Sequence, residues 1–230
     1  AFGQTVLSPG DVAIVAYKDN GTPDAYTLFT FVDIAQGTVI FATDNAVQVN
    51  ANGELSAILT NENLVKFNAS RLYPAGSYLL SSDFATTAAL TSCSAGALAL
   101  STSGDSITIF QSNATACTQF TTPSRFNLVF LLNVKGGILA AGTTTFTTSD
   151  TSVPTTLQNA AAWVTLGSGT TTTKNVGYYN GTFSGTKATI LPSIVTATNW
   201  VFDTATASMH VFPTLTPSPT PTPATPTPTP

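Results

Sequence analysis

Short apolar runs separated by turn residues recur along most of the chain. Nine of these runs span five to ten residues and are either alternating or continuously apolar, the length and pattern of β-strands. Gly, Pro, Asn and Asp between the runs mark tight turns. The predicted strands are Asp11–Lys18, Ala25–Ile34, Gly37–Thr43, Gly76–Ser81, Asp105–Gln111, Phe126–Asn133, Ala162–Gly167, Asn175–Asn180 and Asn199–Asp203.

Only two stretches favour a helical turn, Leu55–Leu64 and the alanine-rich Pro154–Trp163. The predicted fold is therefore all-β. We expect a two-layer β-sandwich of jelly-roll or immunoglobulin-like type, with about a dozen strands and one or two short helices. Trp163 and Trp200 are predicted to be core residues, because each lies in an apolar strand or follows an alanine run.

The last residues have a different pattern. Residues Pro213–Pro230 contain eight of the fourteen prolines, alternating with Thr and Ser. Such a sequence favours an extended polyproline II rod, so we divide the chain into a sandwich domain (1–212) and a tail (213–230). An alternating Thr-Pro pattern is typical of O-glycosylated stalks, although a bare linker to another domain is the alternative. The candidate O-glycosylation sites are Thr214, Thr216, Ser218, Thr220, Thr222, Thr225, Thr227 and Thr229.

Two of the predicted strands, Ala25–Ile34 and Phe126–Asn133, are apolar on both faces. Since a sandwich strand needs only one apolar face, either a loop or helix of the same chain or a neighbouring subunit must cover the other. Adjacent strand residues face opposite ways, so one tyrosine of the pair in Asn175–Asn180 should point outward. The candidate assembly residues are Phe29, Phe31, Val129, Leu131, Tyr178 and Tyr179.

The composition changes the expected surface. Only 18 residues are charged, about 8% of the chain, whereas Thr and Ser together number 63; ordinary domains are about 25% charged. A net charge of −4 argues against a nucleic-acid partner, which would need a basic stripe. No apolar run approaches the ~18 residues of a membrane span, so we expect no membrane insertion.

The two cysteines, Cys93 and Cys117, are predicted to form one disulfide in an oxidising compartment, with a pair of free thiols as the alternative. Four Asn-X-Ser/Thr sequons are candidate N-glycosylation sites. They are at Asn20, Asn68, Asn113 and Asn180. Together these features favour an extracellular location.

The motifs of common enzymes are missing from the sequence. There is one histidine, His210, and no GxSxG, P-loop, HExxH or GxGxxG pattern. A hydrolase using two carboxylates stays open, but Asp11, Asp19 and Asp105 lie in turn contexts, where their side chains normally bind local backbone N–H groups. We therefore predict no catalytic residues and no cofactor.

A calcium site is the best metal candidate. Oxygen ligands cluster between residues 44 and 54, but they do not follow the EF-hand pattern, and Asn52-Gly53 is more simply a tight turn. The residues concerned are Asp44, Asn45, Asn50, Asn52 and Glu54. We predict that they hold no metal.

Four segments carry a resemblance: Gly10–Asn45, Ser103–Ile107, Arg125–Asn133 and Asn199–Phe202. They resemble a functionally uncharacterised extracellular β-domain of secreted microbial proteins. The resemblance spans most of the body but lies in turns and strands, so it supplies no active residues. A β-domain followed by a Thr/Pro tail is also similar to the subunits of glycan-coated extracellular fibrils, which implies a fibre-forming role.

The sequence thus leads to two hypotheses. In the first, the chain is a structural subunit of a secreted, glycosylated fibre; its partners are copies of itself and covalent glycans, and Ala1–Leu7 could be donated to a neighbour's sheet edge. In the second, it is a carbohydrate-binding module tethered by the tail to a catalytic domain. The second predicts a row of exposed aromatic rings.

Overall fold

The computed structural model describes residues 3–19, 24–58, 63–86, 98–102, 105–113, 126–134, 136–146, 150–167 and 175–203. In these ranges the chain is mostly β-strand. The strands are β1 Val12–Lys18, β2 Ala25–Thr30, β3 Val39–Thr43, β4 Val47–Val49, β5 Leu55–Ile58, β6 Leu64–Asn68, β7 Tyr78–Leu80, β8 Ala85–Thr86, β9 Asp105–Ser112, β10 Phe126–Val134, β11 Gly137–Ile138, β12 Asp150–Thr151, β13 Trp163–Thr165, β14 Val176–Tyr179 and β15 Trp200–Asp203. The α-helices are α1 Thr155–Asn159 and α2 Lys187–Ile194.

Two sheets form the body. The first has the order β15-β14-β1-β2-β7 and the second β13-β10-β9-β3-β6-β8. The pairs are antiparallel, except that β13 runs parallel to β10. Two small ladders, β4–β5 and β11–β12, accompany the sheets. The predicted all-β sandwich is confirmed.

All nine predicted strand regions contain a strand of the structure. The helical prediction for Pro154–Trp163 is confirmed by α1, but the one for Leu55–Leu64 is wrong, because β5 begins at Leu55 and pairs with β4. No sequence pattern indicates α2. Its Pro192 argues against a helix, yet Ile190, Leu191 and Ile194 are buried against the body.

The packing of α2 against the first sheet depends on the absence of a side chain at Gly10. Gly10 has a φ of +78°, and a Cβ at that position would lie 2.5 Å from the Leu191 Cδ2. Beside it the Lys187 Nζ donates to the Pro9 carbonyl oxygen at 2.9 Å and to the Asp11 Oδ1 at 2.7 Å. Only glycine combines this backbone conformation with this approach.

The chain itself covers the two strands that are apolar on both faces. Phe29 is buried against Phe31, Tyr78 and Phe183, the last of which belongs to the loop after β14. On the other strand, α1 contacts β10, while β13 pairs beside β10 in the same sheet, and the Leu131 amide donates to the Ala162 carbonyl oxygen. The cover is therefore a loop and a short helix of the same molecule.

This burial corrects four of the six assembly candidates. The buried side chains are Phe29, Val129, Leu131 and Tyr179, each 3% exposed or less. A neighbouring subunit has no access to them, because the interior of their own chain already surrounds them. Phe31 and Tyr178 are partly exposed. Of the two tryptophans, Trp200 is buried as predicted, whereas Trp163 is partly buried.

The antiparallel order gives the sandwich two distinct ends. Strands β6 and β9 finish at one end, because both pair antiparallel with β3. Strand β14 finishes at the same end, because it pairs antiparallel with β1, whose start is bonded to the first half of β10 through Gly10 and Val129, and β10 is antiparallel to β9. We call this the sequon end, after Asn68, Asn113 and Asn180, which lie at the ends of these strands. We call the opposite end, where β1 and β3 finish, the acidic end.

Candidate functional site

The sequon end carries three of the four candidate N-glycosylation sites. Asn68 is the last residue of β6, Asn113 follows β9, and Asn180 follows β14. All three are exposed, as a glycosylated asparagine must be. The fourth sequon asparagine, Asn20, lies outside the described residues.

Residues 3–9 close the sequon end by bonding to the body of their own chain. The Thr5 amide donates to the Thr38 Oγ1 at 2.9 Å, and the Leu7 amide donates to the Gln111 Oε1 at 2.7 Å. The Gln111 Nε2 in turn donates to the Thr5 carbonyl oxygen at 2.9 Å and to that of Val39 at 3.2 Å. Leu7 is fully buried.

These bonds weigh against the idea that Ala1–Leu7 is donated to a neighbour. Residues 1 and 2 lie outside the described part, but Thr5 and Leu7 already have partners within the molecule. Asn127 also donates to the Leu7 carbonyl oxygen. A strand that is bound and buried in its own fold is not available for exchange without opening that end.

Two apolar side chains remain exposed at the sequon end. Val6 is 81% exposed and Leu72 is 56% exposed, the two highest values among large apolar side chains of the described residues. Val6 lies between Thr5 and Leu7, both anchored to this end. Leu72 precedes Tyr73, whose backbone pairs with Ile34 in the same group of loops.

The acidic end contains buried carboxylates. Among the described residues, the buried acids are Asp19, Asp44 and Asp105, and all three lie at this end. Asp105 accepts from the amides of Ser101 and Ser106 at 3.0 and 2.7 Å. The prediction that aspartates bind local backbone N–H groups is confirmed for Asp105, and for Asp11, which accepts from the Ser8 amide.

Asp44 joins two separate segments. Its Oδ1 accepts from the Asn63 amide and its Oδ2 from the Ala99 amide, both at 2.8 Å. Burial raises the pKa of Asp44 to about 6; the backbone hydrogen bonds oppose this shift and the charge of Asp24 adds to it. A carboxylate that is 1% exposed and bonded through both oxygens cannot reach a substrate, so its role is to hold these segments together.

Two buried tyrosines lie near these acids. Burial raises the pKa of Tyr17, with a further contribution from the charge of Asp19. Burial likewise raises the pKa of Tyr26, with a contribution from Asp44. Both phenols therefore stay protonated at physiological pH and act here as packing groups.

The calcium candidates separate into two unrelated groups. Asp44 and Asn45 are buried, and the Asn45 Nδ2 donates to the Thr43 Oγ1 at 2.7 Å. Asn50 instead organises an exposed turn, because its Oδ1 accepts from the amides of Asn52 and Glu54 at 2.9 and 3.0 Å. Within the described ranges, no group of three His, Cys, Asp or Glu side chains is placed to hold a metal ion.

Several predicted sites lie outside the described residues. These include Cys93 and Cys117, so the disulfide stays a prediction, and also His210. The described part ends at residue 203, before the proposed domain boundary at 212 and before every O-glycosylation candidate of the tail.

Sequence reasoning missed the residues that close each end. The sequence marks Gln111 only as the end of a predicted strand, yet its side chain bonds to residues more than a hundred positions earlier in the chain. The sequence marks Asp44 only as a candidate calcium ligand. No local pattern marks either role, because both depend on which loops the sheets bring together.

Comparison of the chain with family models, curated proteins and solved structures gives no match. In the described ranges, no helix is long and apolar enough to cross a membrane.

Proposed function

We propose that the protein is a structural subunit of a secreted, glycosylated extracellular fibre. The observation that carries this proposal is the exposure of all three described sequon asparagines, in a chain that holds 63 Thr and Ser residues and only 18 charged ones. The Thr/Pro-rich tail adds a row of candidate attachment sites for sugars.

The low charge supports association of subunits. Proteins with few charges and a small net charge lack the repulsion that keeps monomers apart. In a glycosylated protein the sugars, and not charged side chains, keep the surface hydrated. A composition with so few charges therefore suits a polymer of identical chains. A homopolymer with a non-closing contact extends without a further component.

The contacts between subunits must differ from those first expected. Phe31 and Tyr178 are the two assembly candidates that retain exposed area. Val201, which is 37% exposed on the edge strand β15, lies opposite Tyr178 in the register between β14 and β15. We propose that Tyr178 and Val201, together with the tail, provide the contacts with neighbouring copies.

The arrangement of aromatic rings favours this proposal over a carbohydrate-binding module. The large apolar side chains that are exposed in the described ranges are aliphatic: Val6, Leu72, Leu80, Ile138 and Val201. The rings there are buried or half-buried, as in the cluster of Phe29, Tyr78 and Phe183. A module that stacks on polysaccharide would need a row of exposed rings.

The test is electron microscopy and sedimentation of the protein purified from its natural source. We expect filaments with a regular repeat, with carbohydrate detected on the polypeptide. The substitution Tyr178→Ser combined with Val201→Ser should shorten or abolish the filaments. A matched control is Leu80→Ser, which alters an exposed side chain on the opposite edge strand of the same sheet.

Two outcomes contradict the proposal. One is a native protein that sediments as a monomer at every concentration. The other is selective binding of that monomer to an insoluble polysaccharide, the result that a carbohydrate-binding module predicts.

A further inference from the structure

The exposed apolar residues of the sequon end lie beside the glycosylation sequons. The Gln111 side chain bonds to Leu7 and to Thr5, the two neighbours of Val6. Asn113 follows Gln111 by two positions in the sequence. Asn68 lies opposite Val39 in the β3–β6 register, and the Val39 carbonyl oxygen also accepts from Gln111. Two sequon asparagines therefore flank the segment that exposes Val6.

Leu72 belongs to the same surface. It follows Asn68 by four positions, and the Ala69 amide between them donates to the Thr38 carbonyl oxygen. Thr38 is also the residue whose Oγ1 binds the Thr5 amide. The first sheet contributes Asn180 at this end. Val6 and Leu72 are the two most exposed large apolar side chains of the described residues, and both lie at this end. Exposed apolar area that is concentrated in one region marks a surface that something else covers.

We propose that Asn68, Asn113 and Asn180 carry N-linked glycans that form a sugar cap over the sequon end and shield Val6 and Leu72. This inference rests on the proposed function, since it requires a secreted glycoprotein. In the reaction, the Asn Nδ2 displaces a diphosphate leaving group from the anomeric carbon of a glycosyl diphosphate donor. The N–C bond forms, the C–O bond to the diphosphate breaks with its electron pair going to the diphosphate oxygen, and the proton lost by the amide is taken up by the released diphosphate.

The cap gives the subunit a polarity. Strand β15 runs toward the acidic end, so the described part of the chain ends with Asp203 opposite the cap. Bulky sugars at the sequon end exclude protein contacts there. Contacts between copies are then confined to the sides of the sandwich, such as Val201 on β15, and to the acidic end, which leaves out Phe31 because it follows β2 at the sequon end.

The first experiment is glycopeptide mass spectrometry on the protein from its natural source. We expect the peptides that contain Asn68, Asn113 and Asn180 to carry hexose-containing mass additions. Release by peptide-N-glycosidase in heavy-oxygen water should convert each asparagine to a labelled aspartate. Asn159, which is exposed but lies outside any sequon, is the matched control and should stay unmodified.

The second experiment tests the shielding. The full chain is expressed in a host that performs N-glycosylation, as the natural sequence and with Asn68→Gln, Asn113→Gln and Asn180→Gln combined. We expect the triple variant to bind more of an apolar fluorescent dye. Adding Val6→Ser and Leu72→Ser to it should return the fluorescence to the original level, and Asn159→Gln alone should leave it unchanged.

The outcomes separate this inference from the proposed function. Filaments with a glycosylated tail but bare Asn68, Asn113 and Asn180 overturn the sugar cap and leave the fibre intact. Occupied asparagines with no rise in dye binding on their removal overturn the shielding. A monomeric native protein without any carbohydrate overturns the fibre proposal itself.

Discussion

The two ends of the sandwich are closed by different physical means. The sequon end is held by neutral hydrogen bonds from Thr5, Leu7 and Gln111 and by the insertion of the Leu7 side chain. The acidic end is held by buried carboxylates, above all Asp44, that accept from backbone amides. The bonds of Thr5, Leu7 and Gln111 involve no ionisable group, although Asp11 and Asp33 also accept from backbone amides at that end. The acidic end, by contrast, contains a buried carboxyl whose pKa is raised to about 6.

The difference shows how each end should respond to a substitution and to a change of pH. A neutral closure built from side-chain amides and hydroxyls needs precise partners but no particular ionisation state. A buried carboxylate makes strong hydrogen bonds and also loses hydration, so its net contribution depends on pH. The following substitutions test this contrast, in order of decreasing effect.

Leu7→Ala should have the largest effect. The side chain is fully buried, so the substitution leaves a cavity and should lower the free energy of unfolding by about 3 kcal/mol. Val6→Ala, one position earlier, removes an 81% exposed side chain and should change it by less than about 0.5 kcal/mol. Urea unfolding measures both, and equal effects would show that residues 3–9 do not insert into the body.

Asp44→Asn should change how stability depends on pH. Because burial raises the pKa of Asp44 from 3.8 to about 6, its contribution is fully present below pH 3.8 and is lost as the pH rises through about 6. The stability of the natural protein should therefore fall relative to the variant by up to about 3 kcal/mol between about pH 4 and 7.

Urea unfolding at several pH values measures this difference. Asp203→Asn removes an exposed carboxylate at the same end and is the matched control for loss of one negative charge. If the natural protein and Asp44→Asn show parallel pH profiles, the acidic end does not depend on the ionisation of this group.

Gln111→Ala should weaken the sequon end at every pH. It removes the acceptor for the Leu7 amide and the donors to the Thr5 and Val39 carbonyl oxygens, which should cost about 2 kcal/mol. Hydrogen exchange at the Leu7 amide should accelerate. Gln4→Ala, at an exposed position, is the control, and an equal effect of both would contradict the assigned role of Gln111.

Lys187→Met should have the smallest effect. Its ion pair with Asp11 is short, at 2.7 Å, but the Lys187 side chain is 33% exposed, so the loss should be below about 1 kcal/mol. Thermal unfolding at low and high salt measures it, and the difference from the natural protein should shrink in high salt. A larger loss of stability that salt does not reduce would show that this ion pair contributes more to the sequon end than a partly exposed pair should.

The positions of the strands were predictable because they follow from local patterns in the sequence. Alternation and turn residues indicate β1, β9 and β10 directly, and each pairs as a strand in the structure. The error at Leu55–Ile58 came from a run with residues common in helices, which pairing with β4 overrides. Helix α2 was missed because packing of Leu191 and its neighbours outweighs the unfavourable Pro192.

The candidate sites were predictable only as sequence positions. The sequon motif marks Asn68, Asn113 and Asn180, but their arrival at one end follows from the register of β6, β9 and β14. Similarly, the apolar faces of Phe29 and Val129 were visible in the sequence. Whether their cover came from a loop, a helix or another molecule depended on contacts between distant segments.

The Gln111 side chain also constrains the order in which the molecule can fold. Its bonds to Thr5 and Leu7 join positions 106 and 104 residues apart. Such distant pairs form slowly, since a long loop must close before either bond is made. The segment around Leu7 therefore takes its final place late, once β3 and β9 have paired, and until then the Leu7 side chain is not yet buried in the core.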